Sequence, residues 1–267
     1  MKIKEFYKIS GSGNDFIMVD NRGGLKRPPR MYIEMICRRG TGVGADGLIL
    51  LEESKKNLDF KMVYFNSDGR EADMCGNGGR SIVLFAKLIG AVKKNTVTFE
   101  SRKAFHKAVI KKNNVVKLQL QRPHSLKKNM KVRTKKGIIE GSFINTGVPH
   151  FVVFVKDIEN TDVFNLGREL RHSDEFSPEG ANIDFVSKKG DLLYIRTYER
   201  GVENETLACG TGSVASALIY GMLFGRKESV KLKTRSKEIL KVYYDNNYSN
   251  VFLEGKVTPV FKGCLCI

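Results

Sequence analysis

The chain has 267 residues, 41 % of them hydrophobic, which is enough for one large core or two domains. Its 46 Lys and Arg against 29 Asp and Glu give a formal charge of +17. The lysines are scattered in pairs (Lys55-Lys56, Lys93-Lys94, Lys111-Lys112, Lys127-Lys128, Lys135-Lys136, Lys188-Lys189), mostly where turns are expected, so they read as a solvated surface and not as a nucleic-acid stripe.

Met1 to Phe16 holds no apolar run of signal-peptide type, and no stretch reaches the length needed to cross a bilayer. The expectation is a soluble protein without membrane partners. Five cysteines (Cys37, Cys75, Cys209, Cys264, Cys266) make an odd set without regular spacing, which favours a reducing cytoplasm over a secreted disulfide scaffold.

In chain order, Gly13-Asn14-Asp15-Phe16 runs into an apolar strand at Ile17-Met18-Val19. Gly42-Val43-Gly44-Ala45-Asp46-Gly47 spells G-x-G-x-x-G, but no strand precedes it and no long helix follows, so it reads as a turn. Met74-Cys75-Gly76-Asn77-Gly78 precedes an apolar helical run from Ser81 to Ile89 that stops at Gly90. Asn95–Phe99 and Val115–Leu120 alternate apolar and polar residues, as strands with one wet face do. Gly147-Val148-Pro149-His150 then leads into Phe151–Val155, and Ala208-Cys209-Gly210-Thr211-Gly212 precedes a second apolar helix, Val214–Phe224, stopping at Gly225. The tail Cys264-Leu265-Cys266-Ile267 superficially matches a prenylation box; without a preceding polybasic segment it reads as an apolar edge strand.

Two motif pairs share one spacing: 209 − 75 = 134 and 147 − 13 = 134. The chain is therefore two homologous halves, each with one Cys-Gly-x-Gly. A helix apolar on every face must be buried. The fold class predicted is α+β: two homologous domains, each a curved, mostly antiparallel sheet or barrel wrapped round a central helix. We place the N-terminal domain at 1–121, completed by a C-terminal strand at 257–267, and the second domain at 122–256, with the active site in the cleft between them.

A cysteine at the first turn of a helix lies at the positive end of the helix dipole, which favours thiolate. The free N–H groups beside it are ready to bind a carboxylate. Two such sites facing each other predict stereoinversion by two bases, Cys75 and Cys209: one thiolate removes an α-proton and the other thiol returns a proton from the opposite face. A redox disulfide is disfavoured because neither cysteine has a C-x-x-C partner, and zinc because the four histidines lack metal spacing. A small packed cysteine remains the bland alternative for either motif taken alone.

Gly13-Asn14-Asp15-Phe16, Arg39-x-x-Gly42-Val43-Gly44-Ala45-Asp46-Gly47, Phe65-Asn66-Ser67-Asp68-Gly69, Met74-Cys75-Gly76-Asn77-Gly78, Pro149-His150, Asn182-x-x-Phe185-Val186, Tyr198-Glu199-Arg200-Gly201 and Thr206–Gly212 occur in the order seen in diaminopimelate epimerases. The chain resembles that family over nearly its whole length. The resemblance implies a cytoplasmic isomerase of lysine and peptidoglycan precursor biosynthesis that interconverts LL- and meso-diaminopimelate without pyridoxal phosphate, any other cofactor or a metal. It implies Cys75 and Cys209 as the acid–base pair. It further implies that Gly76, Asn77, Gly210 and Thr211 hold the reacting carboxylate, and that Asn14, Asn66, Asn182, Glu199 and Arg200 bind the amino groups and distal end. His150 and Glu199 would tune the thiols. The partner expected is a small-molecule amino acid, compatible with a homodimer.

Two departures from the family pattern stand out. Val148 occupies the place of the usual Asn before Pro-His, and the loop Gly201–Glu205 is one residue longer than the commonest form. Two alternatives follow: a racemase of another, for example basic, amino acid with the same two cysteines, or a non-catalytic basic nucleic-acid-binding protein.

Overall fold

The computed structural model describes residues 5–24, 26–102, 104–225 and 228–265. It divides into one unit of Met1–Gln119 with Gly255–Ile267 and another of Leu120–Glu254.

In the first unit the order is β1 (Glu5–Gly11), β2 (Asn14–Asp20), α1 (Arg30–Cys37), β3 (Gly47–Glu52), β4 (Phe60–Asn66), β5 (Glu71–Ala72), α2 (Gly76–Leu88), β6 (Thr96–Glu100), β7 (Phe105–Ile110) and β8 (Val115–Leu120). The second runs β9 (His124–Thr134), β10 (Gly137–Asn145), β11 (Pro149–Phe154), α3 (Val163–Arg171), β12 (Asn182–Lys189), β13 (Leu192–Glu199), β14 (Asn204–Thr206), α4 (Gly210–Phe224), β15 (Ser229–Lys233), β16 (Ile239–Tyr244) and β17 (Val251–Cys264).

The duplication is complete at the level of pairing. In the first unit β1–β2 and β3–β4 are antiparallel while β2–β3 and β4–β6 are parallel. In the second β10–β11 and β12–β13 are antiparallel while β11–β12 and β13–β15 are parallel. The long β17 serves both repeats: Val251–Glu254 pairs with β16, and Val257–Cys264 pairs with β1, as β9 pairs with β10.

Each sheet curves round its own helix. α2 packs on β1, β2, β3, β4 and β7, and α4 on β10, β11, β12, β13, β15 and β16. Central strands covered on both faces become continuous apolar runs, and β3 (Gly-Leu-Ile-Leu-Leu-Glu) is such a run. Its Leu48 and Leu50 join Ile33 and Ile36 of α1 in one core cluster, leaving Ile49 to face α2. In the second unit Ile183 and Phe185 of β12 join Val163 and Leu170 of α3. The residue between them, Asp184, faces α4.

The helices begin earlier than the apolar runs suggested, at the glycine straight after each cysteine. Gly90, just past α2, has φ +70°, the left-handed value expected there. Gly225 caps α4 at φ 96° and ψ 138°, an extended glycine conformation instead. Gly42–Gly47 is a turn leading into β3 and Cys264 ends β17, whereas Cys266 and Ile267 lie outside the described residues. Lys127-Lys128 and Lys188-Lys189 sit in strands and the other lysine pairs in the connections between strands and helices. Among the described residues no helix is long and apolar enough to cross a membrane.

Candidate active site

Both half-sites are built at the N-terminus of a buried helix. Cys75 is the N-cap of α2 in extended backbone (φ −105°, ψ 131°), and Cys209 is the N-cap of α4 (φ −115°, ψ 114°). Each backbone carbonyl accepts a helical bond, from Gly79 N–H at 2.7 Å and from Ser213 N–H at 3.0 Å. A helix N-cap leaves the first-turn N–H groups without intrahelical partners, which makes each a seat for an anion.

In the first half-site the tight β1–β2 turn has positive φ at Ser12 (58°) and Gly13 (99°), the geometry that matches strand twist. The turn delivers Asn14 to the helix start, where Asn77 Nδ2 donates to Asn14 Oδ1 at 2.6 Å. Asn14 Nδ2 in turn donates to Asp46 Oδ2 at 3.0 Å. Arg39 bridges Asp15 at 2.6 Å and Asp46 at 2.9 Å, fixing that carboxylate. On α2 itself Arg80 is fully buried, and its Nη2 donates to Ser12 Oγ at 2.8 Å and Asn77 Oδ1 at 2.9 Å. Cys75 is half-buried, and Asn66 is exposed at the end of β4.

The second half-site is drier. Cys209 Sγ accepts from Gly212 N–H and meets Thr211 Oγ1, both at 3.4 Å. Thr211 Oγ1 is 2.9 Å from His150 Nε2, and His150 Nδ1 is 2.7 Å from Asp184 Oδ2. Thr197 donates its hydroxyl to Asp184 Oδ1 at 2.7 Å. His150 and Asp184 are both fully buried. Asn182 Oδ1 accepts from Arg200 N–H at 2.8 Å, and its Nδ2 donates to the Pro149 carbonyl at 3.1 Å.

Burial pushes the Cys209 thiol well above its ordinary range, and the Glu199 and Asp184 carboxylates push the same way; the Thr211 hydroxyl and Gly212 N–H oppose them. This corrects the expectation that a helix start would favour thiolate here. The first-turn N–H groups offset only part of the cost of placing a charge in a dry, acidic pocket. Cys209 rests as a thiol.

The structure thus brings together Asn14 and Asn77 around one helix start, and Cys209, Thr211, His150 and Asn182 around the other. The Arg200 guanidinium lies toward Glu179, with Nη1 at 3.3 Å from Oε2, while its backbone orients Asn182. The loop of Gly201–Glu205 folds back through Glu203 N–H to Glu199 O at 2.8 Å, with positive φ at Gly201 and Glu203. Sequence reasoning missed Asp46, Arg80, Asp184 and Thr197. Asp46 lies within the Arg39–Gly47 motif, and Asp184 is an unspecified position of Asn182-x-x-Phe185.

A family model described as diaminopimelate epimerase matches residues 6–126 and 142–260. A diaminopimelate epimerase of Aquifex aeolicus is 44 % identical over 276 residues, covering 98 % of this chain and 97 % of that one. A second, of Hydrogenobaculum sp., is 43 % identical over 272 residues, covering 97 % of each. Among solved structures, the chain superposes on a hydroxyproline epimerase of Agrobacterium vitis with bound trans-4-hydroxy-L-proline, at a TM-score of 0.77 and 14 % identity, covering 99 % of this chain and 91 % of that one. A phenazine biosynthesis protein of the PhzF family from Bacillus anthracis gives 0.76 at 16 % identity with complete coverage of both. These two likenesses establish the shared two-domain α+β fold.

Proposed function

We infer that this chain, which belongs to the diaminopimelate epimerase family, is an isomerase that interconverts LL- and meso-diaminopimelate at one α-carbon. The observation that carries the reading is the matched pair of cysteine-capped helix starts in a duplicated chain. In the reaction, one thiolate takes the α-proton and the opposite thiol supplies a proton to the other face. The α-carbanion is stabilised through its carboxylate by first-turn N–H groups at Gly76, Asn77, Gly210 and Thr211. Cys209, held as a thiol at rest, is the proton donor for the stereoisomer whose proton Cys75 removes; the roles exchange in the reverse direction. Asn14, Asn66, Asn182, Glu199 and Arg200 bind the amino groups and distal end, with His150 and Glu199 acting on the thiols. We assign the protein to the cytoplasm, where an odd set of cysteines stays reduced.

Proton exchange tests this reading. The reduced protein is incubated in D₂O with LL-diaminopimelate, lysine or histidine, and α-deuterium is followed. Exchange with diaminopimelate alone is expected. Exchange with lysine or histidine instead would transfer the mechanism to another substrate, and no exchange with any of them would sink both enzymatic readings. Cys75→Ala and Cys209→Ala should each lose activity by at least about 10³-fold; full activity in either refutes the two-base mechanism.

A further inference from the structure

The duplication supplies an internal control for the buried pair behind Cys209. Strand register places His150 opposite Asn182 and Asp184 opposite Thr197. In the first repeat the same register places Phe16 opposite Gly47 and Ile49 opposite Tyr64. Thus Phe16, Ile49 and Tyr64 stand where His150, Asp184 and Thr197 stand. The helices agree: a Cβ on Gly78 of α2 would lie 2.9 Å from Ile49 Cδ1, and one on Gly212 of α4 would lie 2.3 Å from Asp184 Oδ1. One repeat packs its helix start on an apolar triad, with Phe16 edge-on to Tyr64 at 6.0 Å. The fold therefore does not require a histidine and a carboxylate at these positions.

We propose that Asp184 is a positioning residue: it holds His150 in the tautomer that carries its proton on Nδ1, so that Thr211 links the Cys209 thiol to His150 Nε2. The hydrogen-bond network fixes this direction. The Asp184 carboxylate can only accept, so Nδ1 donates at 2.7 Å. Nε2 then accepts, and two donors face it: the Thr211 hydroxyl at 2.9 Å and Asn182 Nδ2 at 3.4 Å. The Asn182 amide cannot turn over without losing both its bond from Arg200 N–H and its bond to the Pro149 carbonyl. With its proton committed to Nε2, Thr211 Oγ1 accepts from the Cys209 S–H, completing a one-way chain of thiol, hydroxyl and imidazole.

When Cys209 ionises by this route, its S–H bond breaks and that proton goes to Thr211 Oγ1, whose own proton passes to Nε2. The products are a thiolate and an imidazolium facing the Asp184 carboxylate. The role in turnover rests on the two-cysteine reading above; the tautomer and the relay do not.

The carboxylates facing Cys209 are Glu199 on β13 and Asp184 on β12, with His150 on β11 reached through Thr211. A carboxylate acting only through its field opposes thiolate formation, so Asp184→Asn would then speed neutral-pH alkylation of Cys209. The relay requires the reverse, because the imidazolium loses its counter-charge. The experiment measures iodoacetamide labelling of Cys209 against pH by mass spectrometry, in substrate-free full-length protein, with Cys75 in the same digest as reference. For Asp184→Asn, labelling of Cys209 at pH 7.5 is expected to slow about 10-fold, and kcat to fall on the order of 100-fold with KM nearly unchanged. The double variant His150→Phe/Asp184→Ile, which copies two of the three first-repeat residues, is expected to fold and to show the same slow labelling. Unchanged or faster labelling of Cys209 in either variant overturns the relay, whatever the turnover. Absence of turnover with diaminopimelate in the unmodified protein would count against the substrate alone, since labelling is read without substrate.

Discussion

Gly212 shows how one missing side chain sustains the second half-site. As the third residue of α4 it lies over Asp184, and a Cβ there would meet Oδ1 at 2.3 Å and Cγ at 3.0 Å. That carboxylate cannot swing away freely, because His150 and Thr197 hold its two oxygens. For Gly212→Ala two effects compete. Alanine favours a helix by about 1 kcal/mol over glycine, while forced overpacking of a filled core costs about 1–3 kcal/mol. Overpacking is expected to win, lowering unfolding stability by up to about 2 kcal/mol in chemical denaturation. Turnover should fall with it because the carboxylate is displaced from His150. A variant more stable than the parent would mean that Asp184 yields readily, against the tight seat seen here.

At the scale of elements, much was legible because turn geometry leaves marks in sequence. Gly13 and Gly147 share one offset with the cysteines because both must adopt large positive φ, 99° and 109°, to turn into β2 and β11. Helices with no polar face announce their burial, and strands such as β8 alternate because one face is wet. Asp184 was illegible for the opposite reason: an aspartate inside a strand reads as a solvent-facing residue, and its partner His150 is 34 residues away. The state of Cys209 was equally hidden, since burial among carboxylates is decided by three strands meeting under α4. Another buried histidine sets an element-level expectation. His106, on β7, stacks on Phe99 of β6 with ring centroids 4.9 Å apart and meets Ser101 Oγ at 2.8 Å. Burial pushes it down from 6.5 to about 4. Its neutral form is thus favoured by folding, so its contribution is intact above pH 6.5 and is lost as pH falls toward 4. The loss amounts to about 3 kcal/mol at its limit. Unfolding free energies measured from pH 7 to pH 4 should fall less steeply in His106→Phe than in the parent by about that amount; parallel curves would show that His106 is already charged in the fold.

For the whole molecule, duplication explains both the economy of the fold and the difference between its halves. The repeats share strand order, parallel steps and a cysteine-capped central helix, yet α2 carries a buried Arg80 on its own second turn while β12 sets a buried Asp184 against the start of α4. A base and an acid must differ in resting charge state, and opposite buried charges are one way to make two copies of one site differ. The same view limits what the formal charge of +17 does. Diaminopimelate carries two ammonium and two carboxylate groups at neutral pH and has no net charge, so a positive field gives it no long-range pull. Exposed charges beyond about 8–10 Å are also screened at physiological salt. The value of kcat/KM is therefore expected to change by less than about twofold between 50 and 500 mM salt. A nucleic-acid ligand neutralising several phosphates would lose affinity by orders of magnitude over that range. A tenfold fall in kcat/KM would show that the basic surface draws in a net anion, and would move the substrate away from a neutral zwitterion while leaving the two cysteines in place.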